Sequence, residues 1–204
     1  MIRAFIAAAA ATLAIVASTA NAQRLETVIF AGGCFWCVES DFDRIPGVVR
    51  TTSGYTGGAT ANPTYRQVSH GGTGHLEAVE IAYDPARVTF DDLLIAFWHS
   101  VDPTDPGGQF CDRGESYTTA VFVDDEIERS AAEISKQAAA SALGQEIATT
   151  IREAGNFYPA EEYHQDYYMK SPARYRYYRW ACGRNRRVEE VWGDRAYEGI
   201  PDHG

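Results

Sequence analysis

After residue 22 the sequence has no apolar run of the length a membrane crossing needs, no internal repeat and no low-complexity stretch. It is short of basic charge: 18 Lys and Arg stand against 28 Asp and Glu, a formal net charge of -10. That balance argues against nucleic acid or an anionic membrane surface as a partner. Cysteine is scarce as well. Of the four, only Cys34 and Cys37 are closely paired, while Cys111 and Cys182 stand alone. Structural zinc usually draws on two such pairs, so no metal is expected.

What is present begins with a leader. Arg3 supplies a positive start, Phe5 to Val16 an apolar core, and Ala20-Asn21-Ala22 a small-residue cleavage site. Residues 1 to 22 therefore read as a secretory signal peptide, which addresses the chain to the periplasm or the outside. Losing Arg3 with it moves the net charge to -11. Residues 23 to 204 have the length of a single domain, expected to be soluble and monomeric, in a compartment where disulfides persist.

Along that domain, Leu25 to Phe30 is β-branched and apolar like a buried strand, and the run from Cys34 through Phe42 has helical spacing. Val48 to Tyr55 and His75 to Tyr83 read as strands on either side of a Gly/Thr/Asn/Pro-rich loop, Gly57 to Gly74. Thr89 and Asp92 form a capping-box pattern ahead of a helical face made by Leu93, Leu94, Phe97 and Trp98. A second Gly/Pro-rich loop, 102 to 115, leads into a strand over Tyr117 to Val123 and a helix over Asp124 to Leu143. Ile147 to Arg152 reads as a further strand and Glu161 to Tyr168 as a helix, followed by an Arg- and Tyr-rich tail. The order strand, helix, strand, strand, helix, strand predicts an α+β fold, a two-layer split β-α-β (ferredoxin-like) plait with extra C-terminal helices and a tail. In such a plait the first strand lies between the third and fourth. Glu77, Asp112 and Tyr117 should then converge on Cys34.

Cys34 is the centre of the chemistry. It sits where a strand hands over to a helix, and the free N–H groups and dipole there favour a thiolate. Zinc binding, a thioredoxin-like dithiol and a purely structural pair are the alternatives for Cys34 and Cys37. Glu77 is in phase with Val79, Ile81 and Tyr83, so it projects from the apolar side of its strand, where a carboxyl stays protonated and can act as a general acid. Phe35 and Trp36 offer an apolar, electron-rich wall suited to a methyl or thioether group. Tyr55, Tyr65 and Tyr117 offer hydroxyls, and Asp112 a loop carboxylate. His75 and His164 carry no local pattern that lifts them above structural histidines.

Together Gly33-Cys34-Phe35-Trp36-Cys37, Asn62-Pro63-Thr64-Tyr65, Gly74-His75-Leu76-Glu77-Ala78-Val79, Cys111-Asp112-Arg113-Gly114 with Tyr117, and Tyr163-His164-Gln165 resemble the A-type peptide methionine sulfoxide reductases. The five blocks occur in family order and span nearly the whole chain after the leader. Ser116, Thr118 and Leu76 stand where that family more often has Gln, Arg and Ala. The resemblance implies reduction of methionine S-sulfoxide, free or in proteins, without metal or cofactor. It implies Cys34 as nucleophile, Glu77 as the acid, Tyr65, Asp112 and Tyr117 as supporting hydrogen-bond partners, and Phe35 and Trp36 as the pocket for the substrate methyl. Cys34 would pass through a sulfenic acid to a disulfide, reduced in turn by a thioredoxin-like dithiol. Cys182, Cys111 and Cys37 could each resolve the sulfenic acid. Cys182 is favoured, since a C-terminal tail moves its thiol at low cost and the family often recycles through a C-terminal cysteine.

Overall fold

The computed structural model describes residues 24–202, and the expected signal peptide lies outside them. In chain order the elements are β1 (Glu26–Gly32), α1 (Phe35–Phe42), β2 (Val48–Thr56), α2 (Tyr65–Ser69), β3 (Leu76–Tyr83), α3 (Phe90–Trp98), β4 (Gly108–Gln109) and β5 (Asp112–Arg113). They continue with β6 (Thr119–Val123), α4 (Glu126–Leu143), β7 (Thr150–Glu153), β8 (Tyr158–Pro159), α5 (Tyr167–Lys170), α6 (Pro172–Cys182) and α7 (Arg184–Trp192). The fold is mixed α+β. Its main sheet has the order β7-β6-β1-β3-β2-β8, antiparallel except where β7 runs parallel to β6.

The sheet separates two apolar layers because side chains alternate across a strand. Val28 and Phe30 of β1, with Val79, Ile81 and Tyr83 of β3, pack into one core with Val38 and Phe42 of α1 and with Leu93, Leu94 and Phe97 of α3. Phe30 stacks on Phe97 with centroids 4.8 Å apart. The other face is thinner: Ala31, Leu76, Ala78, Ala120 and Phe122 are covered by Ala154 and Phe157 from the segment that follows β7. Glu77 is in phase with the thick core, buried among helices.

Local chemistry fixes the element ends. Thr89 accepts from the Asp92 N–H, and Asp92 accepts from the Thr89 N–H, so α3 starts at the expected capping box. Asp125 caps α4 on two amides, and Gly144 ends it in the left-handed region. The loop between β2 and β3 contains a short helix, α2, with its own capping box on Thr64 and Gln67. Glu161 to Tyr168 is mostly turn, with only Tyr167–Lys170 helical, because Gln165 bonds to the edge of β2 instead of continuing a helix. Its amide group spans Ser53 N–H and Ser53 O, each at 2.9 Å, as a strand residue would.

The Arg- and Tyr-rich tail differs most from expectation. It is a pair of helices, α6 and α7, hinged at left-handed Gly183 and anchored into the core. Arg184 is fully buried and donates to Gly32 O at 3.1 Å and Ser100 O at 2.9 Å. Arg179 donates to both carboxylate oxygens of buried Asp41 on α1, at 2.7 and 3.3 Å. Val188 and Trp192 are buried behind them. A tail held by an internal ion pair is not loose, which removes the low-cost mobility expected for Cys182.

Candidate active site

The strand-to-helix turn after β1 is set by Gly33. Its φ is +81°, and a Cβ there would lie 2.5 Å from the Gln109 Cβ. Gln109 is itself fully buried, bonding Asp102 N–H and O and the Gly108 O, so the loop after α3 is locked against this turn. Cys34 follows as the N-cap residue of α1.

Around Cys34 five separated stretches close a cavity of about 60 Å³, lined by Cys34, Phe35, Trp36, Tyr65, Glu77, Asp112, Tyr117 and Tyr178. Seven of the eight residues that the sequence suggested for acid, nucleophile, hydrogen-bonding and wall roles meet there; Tyr55 does not line the cavity, its hydroxyl donating to Glu161 instead. Tyr178 was not anticipated. It donates to Asp112 Oδ2 from α6 and sets its edge against Trp36, with centroids 5.7 Å apart. Twelve tyrosines, several crowded into the tail, hid it in the sequence.

Glu77 is 2 % exposed, and its Oε2 accepts the Phe35 N–H at 3.1 Å. This is one of the unpaired donors at the start of α1, so the carboxyl of Glu77, rather than the sulfur of Cys34, takes it. Burial pushes the Glu77 carboxyl up to about 8; the Phe35 N–H opposes the rise, while the nearby Asp112 and Cys37 add to it. The carboxyl is thus protonated near neutral pH, a donor ready beside the sulfur.

Burial opposes the thiolate shift expected for Cys34. Burial raises its thiol well above the ordinary cysteine value, and a hydrogen bond given to Cys37 and the charges of Cys37, Glu77 and Asp112 raise it further. Cys37 goes the other way, to about 7, because it accepts that hydrogen bond and lies near the guanidinium groups of Arg184 and Arg179, against the cost of its own burial. The guanidinium groups thus favour charge on the Cys37 side of the pair, and the carboxyls disfavour it on the Cys34 side.

The remaining groups are positioned by residues the sequence reading missed or passed over. Glu161 accepts the Tyr65 N–H and the Tyr55 O–H, each at 2.9 Å, tying α2 to the rim of β2. Burial pushes the Tyr65 hydroxyl up to about 12. Tyr117 is raised by burial too, so both are neutral donors. His164 is 1 % exposed, and its Nδ1 accepts the Trp36 indole N–H at 3.1 Å. Burial lowers its imidazole to about 4, so the ring stays neutral and keeps accepting. His75 bonds to Gly58 N–H and Thr60 O, away from the cavity, and is structural.

Cys111 and Cys182 form a disulfide, with Cα atoms 4.9 Å apart. It joins the hairpin of β4 and β5 to the end of α6. Cys182 Sγ lies 3.7 Å from Asp112 Oδ2, just behind the cavity wall, and Cys111 is exposed. Cys34 and Cys37 are free and buried. The arrangement therefore has an enclosed thiol beside a neutral carboxyl and phenols, a setting for breaking a polarised S–O bond, with a surface disulfide one wall away.

Three comparisons bear on this site. The family model described as "Peptide methionine sulfoxide reductase" matches residues 26–196. The chain is 51% identical over 181 residues to "Peptide methionine sulfoxide reductase MsrA 2" of Rhizobium meliloti, covering 89% of this chain and 90% of that protein. It is likewise 51% identical over 174 residues to "Peptide methionine sulfoxide reductase MsrA" of Bacillus licheniformis, covering 84% and 96%. Among solved structures it resembles methionine sulfoxide reductase A of Corynebacterium diphtheriae, with a TM-score of 0.65 at 37% identity over 72% of this chain and 76% of that one. It also resembles reduced Mxr1 of Saccharomyces cerevisiae, with a TM-score of 0.69 at 30% identity over 75% and 89%.

Proposed function

The chain belongs to the peptide methionine sulfoxide reductase family, and on that premise we propose that it reduces the S epimer of methionine sulfoxide, free or in proteins, at Cys34. The observation that carries the assignment to this site is the meeting of Cys34 and a buried, neutral Glu77 in a cavity of about 60 Å³ walled by Phe35 and Trp36.

The sulfoxide methyl packs against Phe35 and Trp36, and its oxygen receives hydrogen bonds from Tyr65, Tyr117 and the Glu77 carboxyl. As the Cys34 sulfur attacks the sulfoxide sulfur, its own proton passes toward Cys37, and Glu77 gives a proton to the oxygen. The S–O bond of the substrate breaks, methionine leaves with its sulfur reduced, and Cys34 is left oxidised as a sulfenic acid. Cys182 then attacks Cys34, water departs, and a Cys34–Cys182 disulfide forms. Attack by Cys111 on Cys182 frees Cys34 and gives the Cys111–Cys182 disulfide. That bond places a sulfur at the surface, where a thioredoxin-like dithiol can reach it.

The strand order β6-β1-β3-β2, with α1 and α3 as the crossovers, supports reading the central strands as a split β-α-β plait. Residues 23 to 204 then make one reductase domain, monomeric, exported through the signal peptide at residues 1 to 22 to the periplasm or beyond. The test is turnover of the purified protein on each epimer of methionine sulfoxide with dithiothreitol, with zinc measured in parallel. Turnover of the S epimer in zinc-free protein is expected. Zinc-bound protein without turnover, or disulfide exchange without sulfoxide reduction, would overturn the assignment.

A further inference from the structure

A cavity of about 60 Å³ takes the methyl sulfoxide end of the substrate and little else. Whatever chain surrounds the oxidised methionine must lie outside it. One groove adjoins the cavity at Trp36 and Tyr65, which line both. It has a volume of about 490 Å³, and its other walls include Tyr163, Tyr167, Lys170 and Arg174 from the turn after β8, α5 and α6.

The groove has the make-up of a peptide contact surface. Tyr167 stacks flat on Trp36, 3.9 Å between centroids and 11° between planes, so the rear wall is a rigid aromatic pair. Tyr163 is 59% exposed at the rim, a large ring left to solvent next to an enclosed site. Rigid aromatic side chains give contact area at little entropic cost. The charge in the groove is of one sign. No carboxylate lines it, although acidic side chains outnumber basic ones by 28 to 18 in the whole chain. Lys170 is held to exposed Glu162 outside the groove, at 2.8 Å, and Arg174 has no carboxylate partner among the described residues.

We propose that this groove, with Arg174 in its wall, is a subsite for the polypeptide flanking an oxidised methionine, and that it favours substrates with an acidic residue next to that methionine. The proposal rests on the sulfoxide reductase reading of the cavity. It deepens that reading by assigning a class of substrate: acidic segments of oxidised proteins over basic ones.

The experiment compares kcat/KM for free methionine S-sulfoxide with that for acetylated five-residue peptides. In these, methionine S-sulfoxide is flanked on both sides by aspartate, asparagine or lysine. The parent protein and Arg174→Glu are measured at low and at 0.5 M salt. A single exposed ion pair changes affinity by roughly two- to fivefold, so the aspartate peptide should exceed the asparagine peptide by about that factor, through KM. The lysine peptide should fall below both, and added salt should compress the three values together. In Arg174→Glu the order should reverse. Equal values for the three peptides in the parent, or the same preference in Arg174→Glu, would overturn the subsite while free sulfoxide is still reduced. If free methionine S-sulfoxide is not reduced at all, the reading beneath it falls, and the subsite with it.

Discussion

Glu77 is the acid of the proposed reaction. Its carboxyl is protonated because burial costs the charged form more than the Phe35 N–H returns. As the proton donor it should make turnover fall as pH rises through about 8. Glu77→Gln should slow sulfoxide reduction by about 10² to 10⁴-fold. The same shift has a stability sign. A carboxyl raised from 4.5 to about 8 on folding stabilises the fold fully below its unfolded value and loses that contribution as pH rises through the folded one. Glu77→Gln does not titrate, so the difference in melting temperature between variant and parent should widen in the variant's favour from pH 5 to 8.5. A pH-independent difference would mean that Glu77 is not a neutral buried acid.

The thiol pair makes a second residue-scale prediction. Thiolate absorbance of the protein, with the Cys111–Cys182 disulfide intact, should rise with a midpoint near 7, carried by Cys37. In Cys37→Ser that step should vanish, and Cys34 should titrate well above the ordinary cysteine range. A midpoint near 7 that survives in Cys37→Ser would place the charge on Cys34 instead. The in-phase position of Glu77 was legible from strand alternation alone. The burial of Cys34 was not, because the cavity around it is closed by Asp112 and Tyr178, which come from the loop after α3 and from α6.

Among the elements, α6 and α7 depend on α1. Asp41 is 1% exposed, and it faces Arg179 at 2.7 Å and Arg184 Nε at 3.8 Å. Removing one partner of a buried ion pair leaves the others charged and unpaired, so Asp41→Asn should lose about 3–5 kcal/mol in urea unfolding. A loss below 1 kcal/mol would show that water reaches the arginines. This anchoring was invisible in the sequence. Arginines in a run read as a solvated surface, and nothing near Arg179 announces a carboxylate on α1. The start of α3 was legible, since Thr89 and Asp92 cap within four residues and need nothing from the rest of the fold. Strand β8 was not, being two residues long and ending in Pro159.

For the whole molecule, the mixed α+β character was legible from the switching between alternating and helical spacing. The convergence of distant residues followed from the antiparallel placing of β3 and β6 on either side of β1. The disulfide pairing did not follow, because three thiols competed on spacing alone. The pairing gives a prediction at this scale. Cys182→Ser, given one equivalent of methionine S-sulfoxide and no reductant, should still form one methionine, and a sulfenic acid trap should then label Cys34. Peptide mapping that instead found Cys34 bonded to Cys37 or Cys111, with thioredoxin-driven turnover unchanged, would show that Cys182 is not the required resolving thiol.

On the proposed mechanism the enclosed Cys34 takes the oxidising equivalent from the sulfoxide. The most direct test of this step is a single turnover of fully reduced protein without added reductant, scoring methionine formed and thiols lost for the parent and for Cys34→Ser. The parent should convert the S epimer with loss of two thiols per methionine and leave the R epimer untouched, and Cys34→Ser should form no methionine. Methionine formation by Cys34→Ser at the parental rate, or equal conversion of both epimers, would contradict the account.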